Sequence, residues 1–185
     1  MTIVWSLIVA LGAIAFLTGA SSGDAVRAWS IYLANLVFWS GLAITGPAIA
    51  AMMQLTEARW SPSVRRIALT TSGFLPVSLV LLVGLYAGRT VLYPWVTTPI
   101  PAKAAWLNTP FFWFRTLAGA SLLFLVALMF VRALLKDTVP ADHERERGRR
   151  NRLAVILLML WVAVVSLWGF DLVMSLDPRW YSGLF

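Results

Sequence analysis

Residues 153–174 read LAVILLMLWVAVVSLWGFDLVM, and this stretch decides the fold because it is an apolar run with a single charged residue, Asp171. A helix needs about 20 such residues to cross the roughly 30 Å hydrocarbon layer of a bilayer. A membrane-spanning strand would instead alternate apolar and polar residues. A helix also pairs its own backbone groups where no water is available. The stretch therefore predicts a transmembrane helix with one carboxylate in its last turn.

Four further apolar segments of similar length precede this one, at residues 2–20, 29–53, 67–87 and 111–131. Hydrophobic residues make up 60% of the 185-residue chain, against about 45–50% in soluble domains. These segments predict an all-α integral membrane protein, a bundle of five transmembrane helices in one domain spanning residues 1–185. Small residues at 18–21 also suit a signal-peptide cleavage site, but the segment lacks a basic start, so we expect a retained helix.

Basic residues are concentrated in two predicted loops, 54–66 and 132–152. The net charge is +7, from 15 Lys and Arg against 8 Asp and Glu. Positively charged loops stay in the cytoplasm. We therefore expect a cytoplasmic N-terminus, a periplasmic C-terminus and Asp171 near the outer face. Membrane orientation explains this clustering better than nucleic-acid binding, so we expect lipids and no nucleic acid as partners.

Residue types that hold redox centres are missing from the sequence. It has no Cys and one His, His143. This chain alone therefore cannot ligate an iron–sulfur cluster, attach haem through thioethers or hold a haem between two histidines. No Walker-type glycine-rich loop is present, which argues against ATP as a substrate. We expect no metal and no cofactor bound by this chain, with His143 exposed in the solvated charge run 142–152.

Asp171 is the most informative side chain because a charge in hydrocarbon costs at least about 2–3 kcal/mol. One interpretation is a proton-relay carboxylate beside a quinone. The alternative is a structural carboxylate that reaches the outer headgroups or pairs with an arginine such as Arg89, Arg115 or Arg179.

Asp177 and Glu57 are two further proton-relay candidates with simpler structural interpretations. Asp177 precedes Pro178, so it is expected to end the helix or to cap a following one. Glu57 lies after the second segment, where it is either a proton entry point or an anchor. As an anchor it would pair with Arg59 or with Arg65 and Arg66. Arg59 is expected to be a structural polar residue.

Aromatic residues mark candidate contacts with quinone or lipid: Trp113, Phe114 and Trp168. The alternative for the run FFWFR at residues 111–115 is an interfacial aromatic belt. The proline-rich loop 88–110 is predicted to lie at the outer interface as a lid or as a docking surface for a peripheral subunit. Its aromatic residues Tyr93, Trp95 and Trp106 are expected along that interface.

Small and polar residues within the segments predict helix–helix contacts. Gly84 and Gly88 form a GxxxG pattern, which permits close helix packing. Asn35 lies within the second segment and is expected to be a structural polar residue that hydrogen-bonds to a neighbouring helix. Pro47 and Pro76 are expected to bend their helices.

Two stretches resemble a known family. AWSIYLANLVFWSGLAITGPAIAAMMQLTEARWSPSVRRIA, residues 28–68, is similar to the early part of the ActF subunits of bacterial alternative complex III. WGFDLVMSLDPRWYSGLF, residues 168–185, resembles the more specific mid-chain segment of that family, FD-x-x-MSL-x-P-x-W-[YF]-S. The family is similar to the NrfD/PsrC-type membrane anchors of molybdopterin oxidoreductases.

The resemblance implies an integral subunit of a quinol-oxidising respiratory complex in the bacterial inner membrane. Such a subunit has no redox centre of its own and packs against a homologous quinol-binding subunit, with a suggested role in proton translocation. Haem c and iron–sulfur clusters would lie in peripheral partner subunits. Family members have roughly twice the helices, so this chain resembles their N-terminal half.

Two other functions compete with this expectation. A small transporter should present paired polar groups or broken helices near mid-membrane, and the segments offer mainly Asn35, two prolines and Asp171. A purely structural assembly subunit needs no proton path at all. The sequence therefore leaves three classes open, with the respiratory subunit favoured and catalysis expected in its partners.

Overall fold

The structure, a computed structural model, describes residues 2–21, 23–58, 62–136 and 143–179. Within these ranges every regular element is helical. The α-helices are α1 (Thr2–Ser21), α2 (Ala25–Leu55), α3 (Pro62–Thr70), α4 (Leu75–Leu85), α5 (Arg89–Leu92), α6 (Pro94–Thr97), α7 (Thr109–Leu135) and α8 (His143–Trp168).

Five helical spans in the described ranges are long and apolar enough to cross a membrane: Ile3–Ser21, Ala25–Leu55, Val64–Leu92, Thr109–Leu135 and Glu144–Leu176. This confirms the predicted all-α chain with five apolar spans. The predicted boundaries lie within a few residues of these spans, except at the start of the last one.

α2 is the central helix of the bundle, since it contacts α1, α3, α4, α7 and α8. α7 and α8 form the most extensive helix pair. Buried apolar side chains from these helices fill the core, among them Ile44, Leu82, Phe130 and Leu157. α1 packs on α2 through Phe16, whose ring lies 5.0 Å from that of Trp29.

The third span is a series of short helices. A 3₁₀ turn at Thr71–Phe74 separates α3 from α4, and a second at Tyr86–Gly88 separates α4 from α5. Pro76 lies in the first turn of α4, where its missing N–H costs nothing. It therefore starts a helix after an interruption, whereas Pro47 lies within α2, which continues to Leu55.

Gly84 and Gly88 face α2, as the GxxxG pattern predicts for a helix contact. Their partners are aromatic side chains: a Cβ at Gly84 would lie 2.9 Å from the Tyr32 hydroxyl, and one at Gly88 would overlap Trp29. The Tyr32 hydroxyl donates a hydrogen bond to the Leu81 carbonyl, at 2.7 Å. The glycines therefore make room for rings and not for a close approach of two backbones.

The start of the last helix is a correction to the sequence analysis. The charge run 142–152 was expected to be a solvated loop, but α8 already begins at His143. Glu and Arg are good helix formers, and Glu144 and Glu146 in the first turn suit the helix dipole. The run is therefore a helical extension of the span; the His143 side chain lies outside the described part of the chain.

Candidate functional site

Asp171 lies in a π-helical turn, Gly169–Val173, that directly continues α8. π turns are rare and recur at functional sites. The Asp171 side chain is 1% exposed. A buried carboxylate needs compensating partners to remain charged, and the surrounding residues provide them.

Arg115 of α7 is the main partner of Asp171. Its Nε lies 2.7 Å from Asp171 Oδ2 and its Nη2 lies 2.7 Å from Oδ1. Two parallel charge-assisted bonds of this kind form the strongest arginine–carboxylate geometry. The Arg115 side chain is 10% exposed. Of the arginines named as alternatives for pairing with Asp171, Arg115 is the one that the structure brings to it.

Trp106 completes the cluster, which we call the Asp171 cluster (Asp171, Arg115 and Trp106). Its indole N–H donates to Asp171 Oδ1 at 3.1 Å, and its carbonyl accepts from Arg115 Nη1 at 2.9 Å. The Arg115 guanidinium also lies 4.1 Å from the Trp106 ring centroid, a cation–π contact. The expected interfacial role of Trp106 missed this hydrogen bond, because nothing in the sequence brings loop 88–110 over the end of α8.

The start of α7 places Arg115 opposite α8. Asn108 caps the helix, since its side-chain oxygen accepts from the Phe111 N–H at 3.0 Å. Pro110 in the first turn favours the same start. Lys103 attaches loop 88–110 to the residues that follow the last span by donating to the Pro178 carbonyl. The Asn108 cap therefore positions Arg115, and the Lys103 hydrogen bond holds loop 88–110 close to the residues that follow Asp171.

Tyr93 and Trp95 of loop 88–110 are buried in the core and do not lie along an interface, which corrects the expectation for them. They are 0% and 2% exposed. The Tyr93 hydroxyl donates to the Leu172 carbonyl at 3.2 Å. Burial raises the pKa of Tyr93, and the nearby negative charge of Asp171 raises it further. The hydroxyl therefore keeps its proton and supports the π turn from below.

A cavity of about 410 Å³ adjoins the cluster. Its lining is mainly apolar and includes Trp106, Phe170 and Met174. Trp106 separates this cavity from Asp171, because the ring lines the cavity while its N–H points to the carboxylate. The Asp171 carboxylate is therefore engaged by three donors, two on Oδ1 and one on Oδ2.

The other two proton-relay candidates lie apart from Asp171. Asp177 is exposed, and its Oδ1 accepts from the Arg179 N–H at 3.0 Å, as in an Asx turn. Glu57 pairs with Arg147 at the start of α8. Arg147 and Asp171 lie on one continuous helical span, so they are about 36 Å apart at about 1.5 Å per residue. The structure therefore brings no two of these three carboxylates together.

Among the described residues, Glu57 pairs with an arginine of α8, whereas the expectation named arginines of its own loop. Its carboxylate pairs with Arg147, and both side chains are largely exposed. Arg65 instead approaches Gln54, with 3.4 Å between Nη1 and Oε1. Arg59 lies outside the described residues, so its structural role stays a prediction.

Glu57 also ends α2 in an unusual backbone conformation. Its φ is 51°, and the following N–H of Ala58 bonds to the Met53 carbonyl at 3.1 Å. This is a Schellman-type helix end, at a position where Gly is favoured. Glu57 thus lies on the protein surface as part of a turn.

The aromatic candidates divide by burial. Phe114 is 71% exposed and can meet lipid or a quinone, whereas Trp113 and Trp168 are 4% and 5% exposed. Trp113 packs against Tyr86 and Phe112, and Trp168 against Phe124. The expectation of surface contact is corrected for the two tryptophans, because the chain's own side chains cover them.

Asn35 is a further correction. Its side chain is exposed and its amide donates to the Ile31 carbonyl of the same helix, at 2.9 Å. It lines a groove of about 810 Å³ between α1 and α2. The expected interhelical hydrogen bond is wrong because Asn35 points along its own helix into this groove.

Comparison with known proteins adds no relative. No protein-family model matches the sequence, and no curated protein matches it. Among the described residues, no group of three or more carboxylates or histidines is placed to hold a metal ion.

Proposed function

We propose that this chain is an integral membrane subunit of a quinol-oxidising respiratory complex of the alternative complex III type. In this proposal it lies in the bacterial inner membrane, with its N-terminus cytoplasmic and its C-terminus periplasmic. It packs against a homologous quinol-binding subunit, while iron–sulfur and haem c groups belong to peripheral partners. Its own contribution is to shape the outer end of the membrane domain.

The observation that carries the proposal is the position of the Asp171 cluster. The most specific part of the resemblance, residues 168–185, begins in the segment that contains the π turn and its buried ion pair. A buried ion pair contributes little net stability, so a role in holding one particular shape accounts for it better. The outer loop, which Lys103 and Trp106 fasten to this segment, is then the docking surface for the peripheral subunits.

The lipid-facing surface supports assembly with other membrane subunits. The apolar window of α1 has 0% of its residues buried. Side chains such as Trp5, Phe38 and Val80 are 62%, 63% and 71% exposed. Continuous apolar surfaces of this kind contact lipid or other subunits. A chain that is one subunit of a larger membrane complex has both kinds of contact.

Isolation of the chain with its neighbours tests the proposal. A tagged chain is extracted in mild detergent, and the co-purifying proteins, haem and iron are measured together with quinol:acceptor activity. We expect a homologous membrane subunit, an iron–sulfur protein and multihaem cytochromes. A stable homo-oligomer with none of these chains would contradict the assignment.

A second candidate, the purely structural assembly subunit, is favoured by the pairing of Asp171 with Arg115 and Trp106. The variant Asp171→Asn distinguishes it from a proton-translocating subunit within the purified complex. If Asp171 relays protons, proton release per electron falls while the subunit composition is unchanged. Unchanged quinol oxidation and proton release would eliminate the relay and leave the structural role.

A further inference from the structure

A polar cavity lies at the other end of the bundle, between the end of α7 and the first turns of α8. It has a volume of about 490 Å³ and is lined by Lys136, Arg145, Glu146, Arg149 and Arg152. Four of the five lining residues are cationic, so the lining carries a net charge of about +3. We call this feature the basic cavity.

One carboxylate is shared within the basic cavity. Glu146 Oε1 lies 3.9 Å from Lys136 Nζ and 3.8 Å from Arg149 Nη1. These separations are long for ion pairs. The other carboxylate oxygen of Glu146 is buried with no hydrogen-bond partner among the described residues. The described lining of the cavity therefore has four cationic side chains and a single carboxylate.

The cavity is held open by a residue on a different face of α8. Arg150 Nε donates to the Ala133 carbonyl at 2.9 Å, and its Nη2 donates to the Lys136 carbonyl at 3.1 Å. These bonds fasten the end of α7 to α8 and satisfy carbonyls that the helix end leaves free. Lys136 is thereby kept beside Arg149, so the basic cavity exists before any ligand binds.

The basic residues of α8 continue into an apolar stripe on the same helix face. Arg145, Arg149 and Arg152 follow the spacing of four and three residues that aligns side chains on one face. The same spacing leads to Ile156 and Met159, which are 48% and 72% exposed. The step from Arg152 to Ile156 is about 6 Å along the axis at about 1.5 Å per residue.

We propose that the basic cavity binds the phosphate of an anionic phospholipid, whose acyl chains lie along Ile156 and Met159. In a phospholipid, a charged phosphate is followed by apolar acyl chains over the same distance. A soluble phosphate would use only the cavity, and an acidic protein segment would not need the exposed apolar stripe. Basic sites between helices at the membrane surface suit such headgroups. The inference does not depend on the proposed respiratory function.

Lipid titration of the full chain, purified in detergent and delipidated, tests the proposal. Native mass spectrometry measures binding of phosphatidylglycerol and of phosphatidylcholine with identical acyl chains. We expect phosphatidylglycerol to bind at least about tenfold more tightly, since each basic residue near a headgroup contributes about 1 kcal/mol. In the variant R149Q/R152Q, phosphatidylglycerol binding should weaken by about tenfold to thirtyfold, with phosphatidylcholine unchanged.

A matched control removes the same charge from the same end of the protein. R66Q/R147Q also removes two positive charges, but neither residue lines the basic cavity. This control should bind phosphatidylglycerol within about twofold of the wild type. Equal weakening in the two double variants would mean a diffuse electrostatic effect and would overturn the site.

Three further results decide the remaining alternatives. Soluble glycerophosphoglycerol that binds as tightly as the intact lipid would overturn the lipid in favour of a free anion site. An acidic protein that co-purifies with the wild type and is lost only from R149Q/R152Q would overturn it in favour of a protein partner. If that variant does not fold, a salt titration of the wild type tests the proposal. Its preference for phosphatidylglycerol must fall between 50 mM and 500 mM salt, because added salt shortens the Debye length and screens the basic residues. A salt-independent preference would overturn the proposal.

Discussion

The two ends of the bundle each contain an arginine–carboxylate pair, and the pairs differ mainly in their environment. The Arg115–Asp171 side chains are 10% and 1% exposed, whereas those of Arg147 and Glu57 are 60% and 62% exposed. Exposed pairs contribute about 0–1 kcal/mol. Removing one partner of a buried pair costs about 3–5 kcal/mol, because the other charge is left without compensation. The same chemistry is thus a surface feature at one end and a structural requirement at the other.

This difference suggests that the end with the Asp171 cluster has a single permitted shape, while the Arg-rich end is adaptable. At the first end, Trp106 and Arg115 converge on one carboxylate. At the other end, four cationic side chains and one carboxylate line the basic cavity. Variants at the two ends should therefore differ in how much stability they lose.

The largest effect is expected from Arg115→Met, which leaves Asp171 buried without its cation. We expect a loss of about 3–5 kcal/mol of stability, measured as thermal unfolding in detergent by tryptophan fluorescence. The double variant R115M/D171L should recover most of the loss, because apolar residues of similar volume replace buried pairs well. A loss in R115M no larger than that in a Glu57 variant would remove the contrast between the two ends.

The next-largest effect is expected from Gly46→Ala, which tests whether the helix contacts in the Arg-rich half can adapt. Gly46 of α2 touches α3 so closely that a Cβ would overlap the Ala68 carbonyl and the Thr71 hydroxyl. Gly46→Ala should therefore cost about 1–3 kcal/mol through overpacking. Gly41→Ala is the matched control on the same helix, with nothing within 4 Å of its Cβ. Equal unfolding temperatures for the two variants would show that α2 and α3 can move apart freely.

A smaller effect is expected from Tyr93→Phe, which leaves the Leu172 carbonyl without its donor. The expected cost is about 0.5–1.5 kcal/mol, and Tyr86→Phe serves as the control because the Tyr86 side chain is 43% exposed. The pKa of Tyr93 is raised above its ordinary value of 10.0. The wild type should therefore lose stability as pH rises above about 10, since the unfolded tyrosine ionises first. Y93F should lose less over that range; an identical alkaline profile would contradict the role of burial.

The smallest effect is expected from Glu57→Gln, which removes the exposed pair with Arg147. Stability should change by no more than about 1 kcal/mol, with less difference at high salt. Thermal unfolding at two salt concentrations measures both. A cost of about 3 kcal/mol or more would show that the Arg-rich end depends on a network, against the pattern of exposure.

Hydropathy and length were enough to predict the five spans. The sequence could not predict where α8 begins, because residues 143–152 are helical in a water-exposed segment that apolar content does not detect. Helix propensity and Glu144 in the first turn were the available signals. The interruption at Thr71–Phe74 had a signal in Thr71, Ser72 and Gly73 ahead of Pro76, but a bend was expected there and not a break between two helices.

The candidate site was partly predictable. The cost of a charge in hydrocarbon singled out Asp171 and limited its partners to a few arginines. Trp106 was out of reach because its contact depends on how a long loop folds back. The burial of Trp113 and Trp168 was also hidden, since lipid and protein interior are equally apolar and hydropathy cannot separate the two faces of a membrane helix.

The π turn at Gly169–Val173 holds one residue more than an α-helical turn in the same place would. Deleting a single residue here, such as Phe170, would therefore leave an ordinary α-helical turn, in which Asp171 meets Arg115 at a different angle. A homologous sequence one residue shorter at this point should then lack both Asp171 and Arg115. Sequence length at one turn thus becomes a marker for the presence of the buried pair.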